Sequence, residues 1–184
     1  MSGRPLLRGL FLDRDGVVNV NRHYVGHIEE FEFNPGIFEL CSWARSQGFV
    51  IVIVTNQSGV GRGLFTIDQY HHLTNWMLEQ FSLNDCKIDL VVASPIDPNN
   101  ENNSEALKSR RKPNPGMIFD ACEVLNIDPH VSVLIGDSDS DVEAAQAAGI
   151  PTIIRLNQQI ATLDETYCFK DLTSLLENKE VVIR

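Results

Sequence analysis

The chain contains 184 residues, of which 43% are hydrophobic, and this is enough for one domain with a substantial core. Its formal net charge of -10 argues against nucleic acid or an anionic membrane as the main partner, because long-range attraction would have the wrong sign. An anionic substrate therefore has to be held by local positive charge, which the segment Lys108–Lys112 supplies.

The cysteines and the apolar runs indicate where the protein works. The four cysteines are widely spaced and include no Cys-x-x-Cys pair, which favours reduced, buried thiols. No secretory signal follows Met1, and no apolar run approaches the roughly 18 residues of a membrane span. We therefore expect a cytoplasmic protein. Because no long exposed apolar stripe is evident, we expect a monomer.

The first elements along the chain are two apolar strands separated by a helix. Residues 8–12 form the first apolar run, and residues 49–54 form a second that is apolar throughout, as in a strand covered on both faces. Between them, apolar residues at positions i, i+3, i+4 and i+7 over Ile37–Ala44 predict a helix that ends at Gly48.

A longer helix is predicted next. Thr66 and Gln69 have the spacing of a capping box, which marks a helix N-terminus. The buried face of this helix is predicted from its apolar spacing to contain Tyr70, Leu73, Met77 and Phe81.

The second half of the chain continues the alternation of strands and helices. Predicted strands cover residues 88–93, 131–135 and 151–154, and predicted helices cover residues 118–125 and 144–148. A sixth short strand near residues 167–169 and a helix over residues 171–177 complete the pattern. This order predicts an α/β protein with a three-layer, Rossmann-like parallel sheet and helices on both of its faces.

Polar motifs follow three of the predicted strands. They are Asp13-Arg14-Asp15-Gly16, Thr55-Asn56-Gln57-Ser58-Gly59 and Gly136-Asp137-Ser138-Asp139-Ser140-Asp141. Each motif alone is ordinary turn chemistry, but ligands in such folds bind outside the carboxyl ends of the strands. Together with Lys112-Pro113, which precedes the helix leading into the fourth strand, the motifs predict one catalytic site.

Asp13 and Asp15 are the most informative pair. Neighbouring side chains of a strand point to opposite faces, so these two acids can flank one reactive point where the chain begins to turn. One acid can act as a nucleophile and the other as an acid and base. Gly16 lets the backbone swing away and leaves the Asp15 carbonyl facing the same point, which suits Mg²⁺ and attack on phosphorus.

The chain resembles the haloacid dehalogenase superfamily of phosphatases, whose four ordered motifs match Asp13-x-Asp15, Thr55, Lys112 and Gly136-Asp137-x-x-x-Asp141. More narrowly, it resembles the D-glycero-D-manno-heptose 1,7-bisphosphate 7-phosphatases and the related histidinol-phosphate phosphatases. The segments that carry this narrower resemblance are Phe11–Gly16, Tyr24–Val25, Phe31–Gly36, Val54–Gly59, Arg62–Thr66 and Arg111–Met117.

The resemblance implies a covalent mechanism and a metal. Asp13 is expected to attack the phosphoryl group, and Asp15 to protonate the leaving oxygen and then to activate water. The Asp13 carboxylate, the Asp15 carbonyl and the Asp137 carboxylate are the expected Mg²⁺ ligands. Asp141 is a candidate either for supporting the metal ligands through hydrogen bonds or for binding the metal as an auxiliary ligand. Asp139 is expected to be structural, because acids are favoured in a first helical turn.

The resemblance also implies a set of substrate contacts. The Thr55 hydroxyl and the Asn56 backbone amide are expected to hold the phosphate oxygens, and Lys112 to offset their charge. Arg62 and Arg111 are expected to contact the rest of the substrate, with Arg111 near the second phosphate of a bisphosphate.

Residues 1–184 are expected to form one domain without a large cap domain. A flap over about residues 17–35 and a loop over about residues 94–110 are expected to border the site. The histidines in the flap, His23 and His27, are expected to be exposed polar residues rather than catalysts.

Two features depart from the family pattern. Close relatives bind a structural zinc through Cys and His residues, but the corresponding positions here are Ser94, Ile96, Lys108 and Arg110, so no zinc is expected. Ser138 stands where the heptose enzymes usually have a lysine, which removes a phosphate-binding charge.

The expected activity is Mg²⁺-dependent hydrolysis of a sugar phosphate, with D-glycero-D-manno-heptose 1,7-bisphosphate converted to the 1-phosphate through an aspartyl-phosphate. One alternative is a phosphatase for another small phosphomonoester such as histidinol phosphate. Another is a catalytically silent protein that binds a sugar phosphate.

Overall fold

The computed structural model describes residues 5–156 and 166–183, and its centre is a parallel β-sheet. The six strands in the described residues are β1 (Arg8–Leu12), β2 (Phe49–Asn56), β3 (Leu90–Ser94), β4 (Val133–Gly136), β5 (Thr152–Leu156) and β6 (Thr166–Phe169). They lie in the order β3-β2-β1-β4-β5-β6, and every neighbouring pair is parallel. The predicted α/β fold, including the short sixth strand, is confirmed.

Helices connect the strands. The described residues contain α1 (Ile37–Ser46), α2 (Ser58–Gly61), α3 (Ile67–Leu83), α4 (Glu105–Arg110), α5 (Gly116–Leu125), α6 (Asp139–Ala148), α7 (Leu172–Leu176) and α8 (Lys179–Val182). The predicted strand over residues 131–135 was wrong at its start, because Pro129–Val131 forms a 3-10 turn. The carboxylate of Asp128 caps this turn by accepting from the His130 N–H at 2.9 Å.

The two faces of the sheet bury two separate hydrophobic clusters. Leu10, Leu12 and their neighbours pack against α1 and α3, whereas Phe11 packs with α5 and α6 on the opposite face. This division follows from the alternation of side chains along β1. Ala144 and Ala145 are fully buried in α6 and allow that helix to pack closely on the sheet. The predicted three layers are therefore present.

The capping box of α3 forms as predicted. The Thr66 N–H donates to Gln69 Oε1 at 2.7 Å, and the Gln69 N–H donates to Thr66 Oγ1 at 3.1 Å. The four residues predicted for the inner face of this helix, Tyr70, Leu73, Met77 and Phe81, are all buried.

The order of the strands places the site. The chain moves from β1 outward to β2 and β3 and then returns to lay β4 on the other side of β1. Such a reversal leaves a crevice at the carboxyl ends of the two central strands. Asp13 follows β1 and Asp137 follows β4, and the Asp13 N–H donates to the carbonyl of Ile135 at 3.0 Å.

Residues 17–35 pack against the rest of the molecule at their base. The Val20 N–H donates to the Glu32 carbonyl at 2.8 Å, and the Phe31 ring lies edge-on to Trp76 of α3 at 5.5 Å between ring centres. At the tip of the segment, His23 and Tyr24 have positive φ angles of 56°. The base is thus fixed by packing, while its tip reaches the crevice.

Of the four cysteines, Cys41 and Cys86 are buried, and Cys122 and Cys168 are half-buried. The prediction of buried thiols therefore holds for the first two. Within the described ranges, no helix combines the length and the apolar character needed to cross a bilayer.

Candidate active site

A cavity of about 270 Å³ opens at the carboxyl ends of β1, β2 and β4. Its lining includes six of the residues that the sequence singled out: Asp13, Asp15, Thr55, Asn56, Lys112 and Asp137. The remaining lining residues are Asn21, His23, Tyr24, Gln57, Ser58, Gly59, Ser138 and Ser140. Motifs that are separated by up to about two thirds of the chain length, from Asp13 to Asp137, therefore meet at one cavity, as the parallel sheet predicts.

Lys112 lies at the centre of the charged groups. Its buried ammonium group donates to Asp13 Oδ1 at 2.7 Å, to Asp141 Oδ1 at 2.5 Å and to the Val54 carbonyl at 2.8 Å. Burial alone would lower the pKa of Lys112, but the two carboxylates outweigh burial and hold the pKa above its usual value. Lys112 is therefore a fixed positive charge beside Asp13.

Asp13 is held in a setting that disfavours its ionised form. Burial raises the pKa of Asp13 to about 8, with further contributions from the Asp141 and Asp15 carboxylates, and Lys112 opposes this rise. A divalent cation beside Asp13 would act in the same direction as Lys112 and favour the carboxylate.

Asp141 positions Lys112. Its Oδ1 accepts from Lys112, while its Oδ2 accepts from Ser138 Oγ at 2.6 Å and from the Ser138 N–H at 3.1 Å. Burial would raise the pKa of Asp141, but Lys112 and Ser138 outweigh burial and lower it. Asp141 is thus the counter-ion of Lys112, and its expected role as a support for the metal ligands or as an auxiliary metal ligand stays a prediction. The serine at position 138 contributes to this arrangement.

The acids near the cavity can hold a cation. Asp13, Asp137 and Asp141 each offer a carboxylate oxygen within 4.8 Å of the others, and the described residues contain no other group of three or more acids, histidines or cysteines so arranged. Burial and the Asp141 charge raise the pKa of Asp137. A hard cation would relieve this crowding of carboxylates, and oxygen ligands are those that Mg²⁺ prefers. Of the three acids, Asp13 and Asp137 line the cavity.

Asp15 is held by three donors. Its Oδ1 accepts from Asn19 Nδ2 at 3.0 Å, its Oδ2 accepts from Gln57 Nε2 at 2.9 Å, and Arg14 Nη2 lies 3.0 Å from both oxygens. Gln57 Nε2 also donates to Thr55 Oγ1 at 2.9 Å, which joins the β1 and β2 motifs. None of these three donors was assigned a role from the sequence. Arg14 and Gln57 lie within the first two motifs and Asn19 follows the first one closely, and this was the signal that could have indicated a role.

The side chain of Asn56 holds the backbone of Lys112. Asn56 Nδ2 donates to the Lys112 carbonyl at 3.0 Å, and the Lys112 N–H donates to Asn56 Oδ1 at 3.2 Å. This pair of hydrogen bonds ties the end of β2 to the loop that carries the ammonium group. Asn56 thus has a structural contact beyond the backbone role expected for it.

Arg62 and Arg111 lie outside the lining of the cavity. Arg62 Nε is 3.3 Å from Asp97 Oδ1, and its guanidinium lies 5.6 Å from the centre of the Tyr24 ring, which does line the cavity. Burial and the positive charge of Arg62 lower the pKa of Arg111. The two arginines therefore form a cationic cluster beside the cavity, next to Tyr24 of its lining.

The loop over residues 94–110 is held by contacts that need no zinc ligand. Asp97 Oδ1 accepts from the Asn99 N–H at 3.1 Å, and the Asp97 carbonyl accepts from Asn103 Nδ2 at 2.7 Å. The Gly61 N–H donates to the Pro95 carbonyl at 2.8 Å. Two of the four positions that correspond to zinc ligands, Ser94 and Ile96, are buried, and Arg110 and Lys108 form ion pairs.

Asp139 is placed away from the acidic group. Its carboxylate forms an ion pair with Arg155 at the end of β5. This contact agrees with the structural role expected for Asp139.

Comparisons with known proteins place the chain among phosphatases. Residues 109–165 match the sequence model of the HAD-hydrolase-like family, HAD being haloacid dehalogenase. The D-glycero-alpha-D-manno-heptose-1,7-bisphosphate 7-phosphatase of Burkholderia mallei is 43% identical over 148 residues, which are 80% of this chain and 78% of that protein. The chain belongs to this family of haloacid dehalogenase phosphatases.

A further relative and a solved structure support this family membership. The D-glycero-beta-D-manno-heptose-1,7-bisphosphate 7-phosphatase of Rhodopseudomonas palustris is 44% identical over 153 residues, which cover 82% of this chain and 84% of that protein. The structure of a D,D-heptose 1,7-bisphosphate phosphatase from B. bronchiseptica, complexed with magnesium and phosphate, is 26% identical with a TM-score of 0.82. That alignment covers 95% of this chain and 99% of the other. The family membership that the motifs suggested is confirmed, and the chain is a phosphatase.

Proposed function

We propose that the protein hydrolyses the 7-phosphate of D-glycero-D-manno-heptose 1,7-bisphosphate and releases the 1-phosphate, with Mg²⁺ as its cofactor. The observation that carries this proposal is the meeting of Asp13, Asp15, Lys112 and Asp137 at one cavity, in a chain whose relatives bear this activity in their names. These are the groups that phosphoryl transfer to a carboxylate needs.

The first half-reaction uses both acids of the first motif. An oxygen of the Asp13 carboxylate attacks phosphorus while the bond from phosphorus to the C7 oxygen breaks. The electron pair of that bond goes to the oxygen, and Asp15 donates the proton that turns it into a hydroxyl group. The products are an aspartyl-phosphate at Asp13 and the heptose 1-phosphate.

The second half-reaction returns the enzyme to its starting state. Asp15 takes a proton from a water molecule, and the water oxygen attacks the phosphorus of the aspartyl-phosphate. The bond from phosphorus to Asp13 then breaks, which releases inorganic phosphate and restores the carboxylate.

Other residues of the cavity align the phosphoryl group. The Thr55 hydroxyl and the Asn56 backbone amide hold its non-bridging oxygens, and the ammonium group of Lys112 offsets the charge that gathers on them. The contact between Lys112 Nζ and Asp13 Oδ1 at 2.7 Å supports this role, because it puts the positive charge beside the attacking oxygen.

The Asp13 carboxylate, the Asp15 carbonyl and the Asp137 carboxylate would hold Mg²⁺. When bound, the ion supplies positive charge that offsets the charge of the phosphoryl oxygens. The magnesium named in the complex of the B. bronchiseptica relative and the crowded acids of this chain support the assignment. No zinc is proposed, because the corresponding positions lack cysteine and histidine.

The cationic cluster beside the cavity suits the second phosphate of a bisphosphate. Arg111 is half-buried, and its Nη1 atom is buried without a hydrogen-bond partner within the described residues. We assign Arg111 and Arg62 to the 1-phosphate end of the substrate, where a phosphate oxygen would satisfy that donor.

We also propose that the chain acts as one domain and as a cytoplasmic monomer. Residues 17–35 would serve as a flap that limits water access, and residues 94–110 would border the entrance. Sedimentation of the purified protein tests whether it is a monomer, and cell fractionation tests whether it is cytoplasmic.

A substrate panel with Mg²⁺ tests the proposed function. We expect kcat/KM for the heptose 1,7-bisphosphate to exceed that for heptose 7-phosphate and for histidinol phosphate by at least about tenfold, because the arginine cluster meets a second phosphate. Equal or faster hydrolysis of histidinol phosphate would assign the other substrate. Tight binding of the bisphosphate without turnover would instead indicate a binding protein.

A further inference from the structure

Arg14 is a buried cation that takes no part in the two half-reactions of the proposed mechanism. It lies between the two proposed catalytic acids in the sequence, and its side chain is 1% exposed. Among the described residues, it is the largest side chain that is fully buried. Burying a charge is costly unless the charge is well paired. Its location next to the reacting groups therefore calls for a functional reason.

One nitrogen of Arg14, Nη2, contacts both Asp15 and the flap. Arg14 Nη2 donates to both carboxylate oxygens of Asp15 at 3.0 Å and to the carbonyl of Val25 at 2.8 Å. Val25 is a buried residue of the flap, so this nitrogen joins the acid to the backbone of the flap. The hydrogens of Nη2 can serve both partners, one shared by the two carboxylate oxygens and one for the carbonyl.

The rest of the guanidinium is incompletely used. Arg14 Nε and Nη1 are buried and have no hydrogen-bond partner in the part of the chain that the structure describes. Leaving such donors unsatisfied costs stability, and an apolar side chain of similar volume would avoid that cost. The arrangement is therefore poor as a device for stability, whereas it is well suited to fixing the orientation of Asp15.

We propose that Arg14 is a positioning residue, which holds the Asp15 carboxyl group in the orientation that protonates the leaving oxygen and ties that orientation to the flap at Val25. This inference rests on the proposed function, in which Asp15 is the general acid. In that step the bond from Asp13 to phosphorus forms, the bond to the leaving oxygen breaks, and the proton moves from Asp15 to that oxygen. Arg14 itself exchanges no proton and no electrons.

Substrates with different leaving groups distinguish this positioning role from a merely structural one. An alkoxide needs a proton as it leaves, but the phenolate of 4-nitrophenyl phosphate leaves without one. Since kcat/KM covers only the steps up to departure of the leaving group, the ratio of kcat/KM for heptose bisphosphate to that for 4-nitrophenyl phosphate reports the acid step. The ratio is taken on one preparation, so it does not depend on how much of the protein is folded.

The experiment measures this ratio for the wild-type enzyme, R14M, D15N and N34A. We expect R14M to lower the ratio at least about tenfold, in the same direction as D15N, because general acid catalysis contributes about 10²- to 10⁴-fold. N34A is the matched control. It removes the flap hydrogen bond from Asn34 Nδ2 to the Val17 carbonyl at 3.0 Å without touching Asp15, and its ratio should stay at the wild-type value.

Two results would overturn the proposal: an unchanged ratio in R14M, or an equal fall of the ratio in N34A. If R14M does not fold, R14K keeps the charge but loses the planar guanidinium, and its ratio carries the same test with the same two outcomes. Failure of the proposed function looks different. If the wild-type enzyme prefers another alkyl phosphate, the substrate assignment is wrong, and the ratio measured with that alkyl phosphate still tests Arg14.

Discussion

Gly16 and Asp137 approach each other so closely that a side chain at position 16 would displace the carboxylate. A Cβ atom on Gly16 would lie 1.9 Å from Asp137 Oδ2, and the backbone at Gly16 has a φ angle of 97°. The first motif ends in glycine because the proposed metal ligand from β4 occupies the space that any side chain would need.

We therefore predict that G16A weakens Mg²⁺ binding. The new methyl group moves the Asp137 carboxylate, so the Mg²⁺ concentration for half-maximal activity should rise about 10- to 100-fold. G48A is the matched control, because Gly48 has a comparable φ angle of 85° but nothing within 4 Å of its added Cβ. Mg²⁺ titrations of both variants measure the effect. An equal shift in the two would mean that backbone strain alone is responsible.

K112M should lose both activity and stability. It leaves the buried Asp13 and Asp141 carboxylates without their cation, which costs about 3–5 kcal/mol of unfolding free energy. It also removes charge from the phosphoryl site, and kcat should fall about 10²- to 10³-fold. Urea denaturation and steady-state kinetics measure the two effects.

The matched control for this change is K108M. The side chain of Lys108 is 44% exposed and pairs with the exposed Glu105 one helical turn away, and the loss of such a pair costs less than about 1 kcal/mol. If K112M unfolds at the same urea concentration as K108M, the buried ion-pair network is not stabilising.

D13N should stabilise the metal-free protein at neutral and alkaline pH. Because burial raises the folded-state pKa of Asp13 from 3.8 to about 8, the folded protein holds a proton between these values that the unfolded chain has released. The contribution of Asp13 to stability is thus lost as pH rises through that window, whereas asparagine does not titrate.

Thermal unfolding in the presence of a chelator checks this prediction. The melting temperature of D13N minus that of the wild-type protein should grow as pH rises from about 5 to about 8 and then level off. A difference that shrinks with rising pH would contradict the direction of the pKa shift.

N56A should act on catalysis through Lys112. The side chain of Asn56 makes two hydrogen bonds to the backbone of Lys112, so their loss should let the ammonium group shift and lower kcat about 10-fold or more. N114A removes a comparable bond, from Asn114 Nδ2 to the Lys108 carbonyl at 3.1 Å, on the exposed side of the same loop. Kinetics of the two variants should differ, and equal losses would remove the special role of Asn56.

The sequence predicted the features that follow from local pattern and from parallel topology. Apolar spacing gave the inner face of α3, and the capping box at Thr66 gave its start. The proximity of Asp13 and Asp137 could be predicted because the carboxyl ends of parallel strands share one edge of a sheet. This argument needs no knowledge of how the loops fold.

What the sequence did not predict depends on loop conformations and on contacts between distant side chains. The bond from Asn56 to the Lys112 backbone, the pairing of Asp141 with Lys112, and the reach of Arg14 to Val25 each require a particular path of the chain. The same holds for Arg62, whose contact with Asp97 depends on the loop after β3. Motif spacing indicates which residues carry charge, but it does not indicate which of their neighbours hold them.

The most direct test of the account is a crystal structure of the protein with Mg²⁺ and trifluoroberyllate, which mimics a phosphoryl group on a carboxylate. The account predicts beryllium bonded to an Asp13 oxygen, Lys112 Nζ in contact with a fluorine, and Mg²⁺ held by Asp13, Asp137 and the Asp15 carbonyl. Beryllium bonded to Asp15, or Mg²⁺ held by Asp141 away from Asp13, would contradict it.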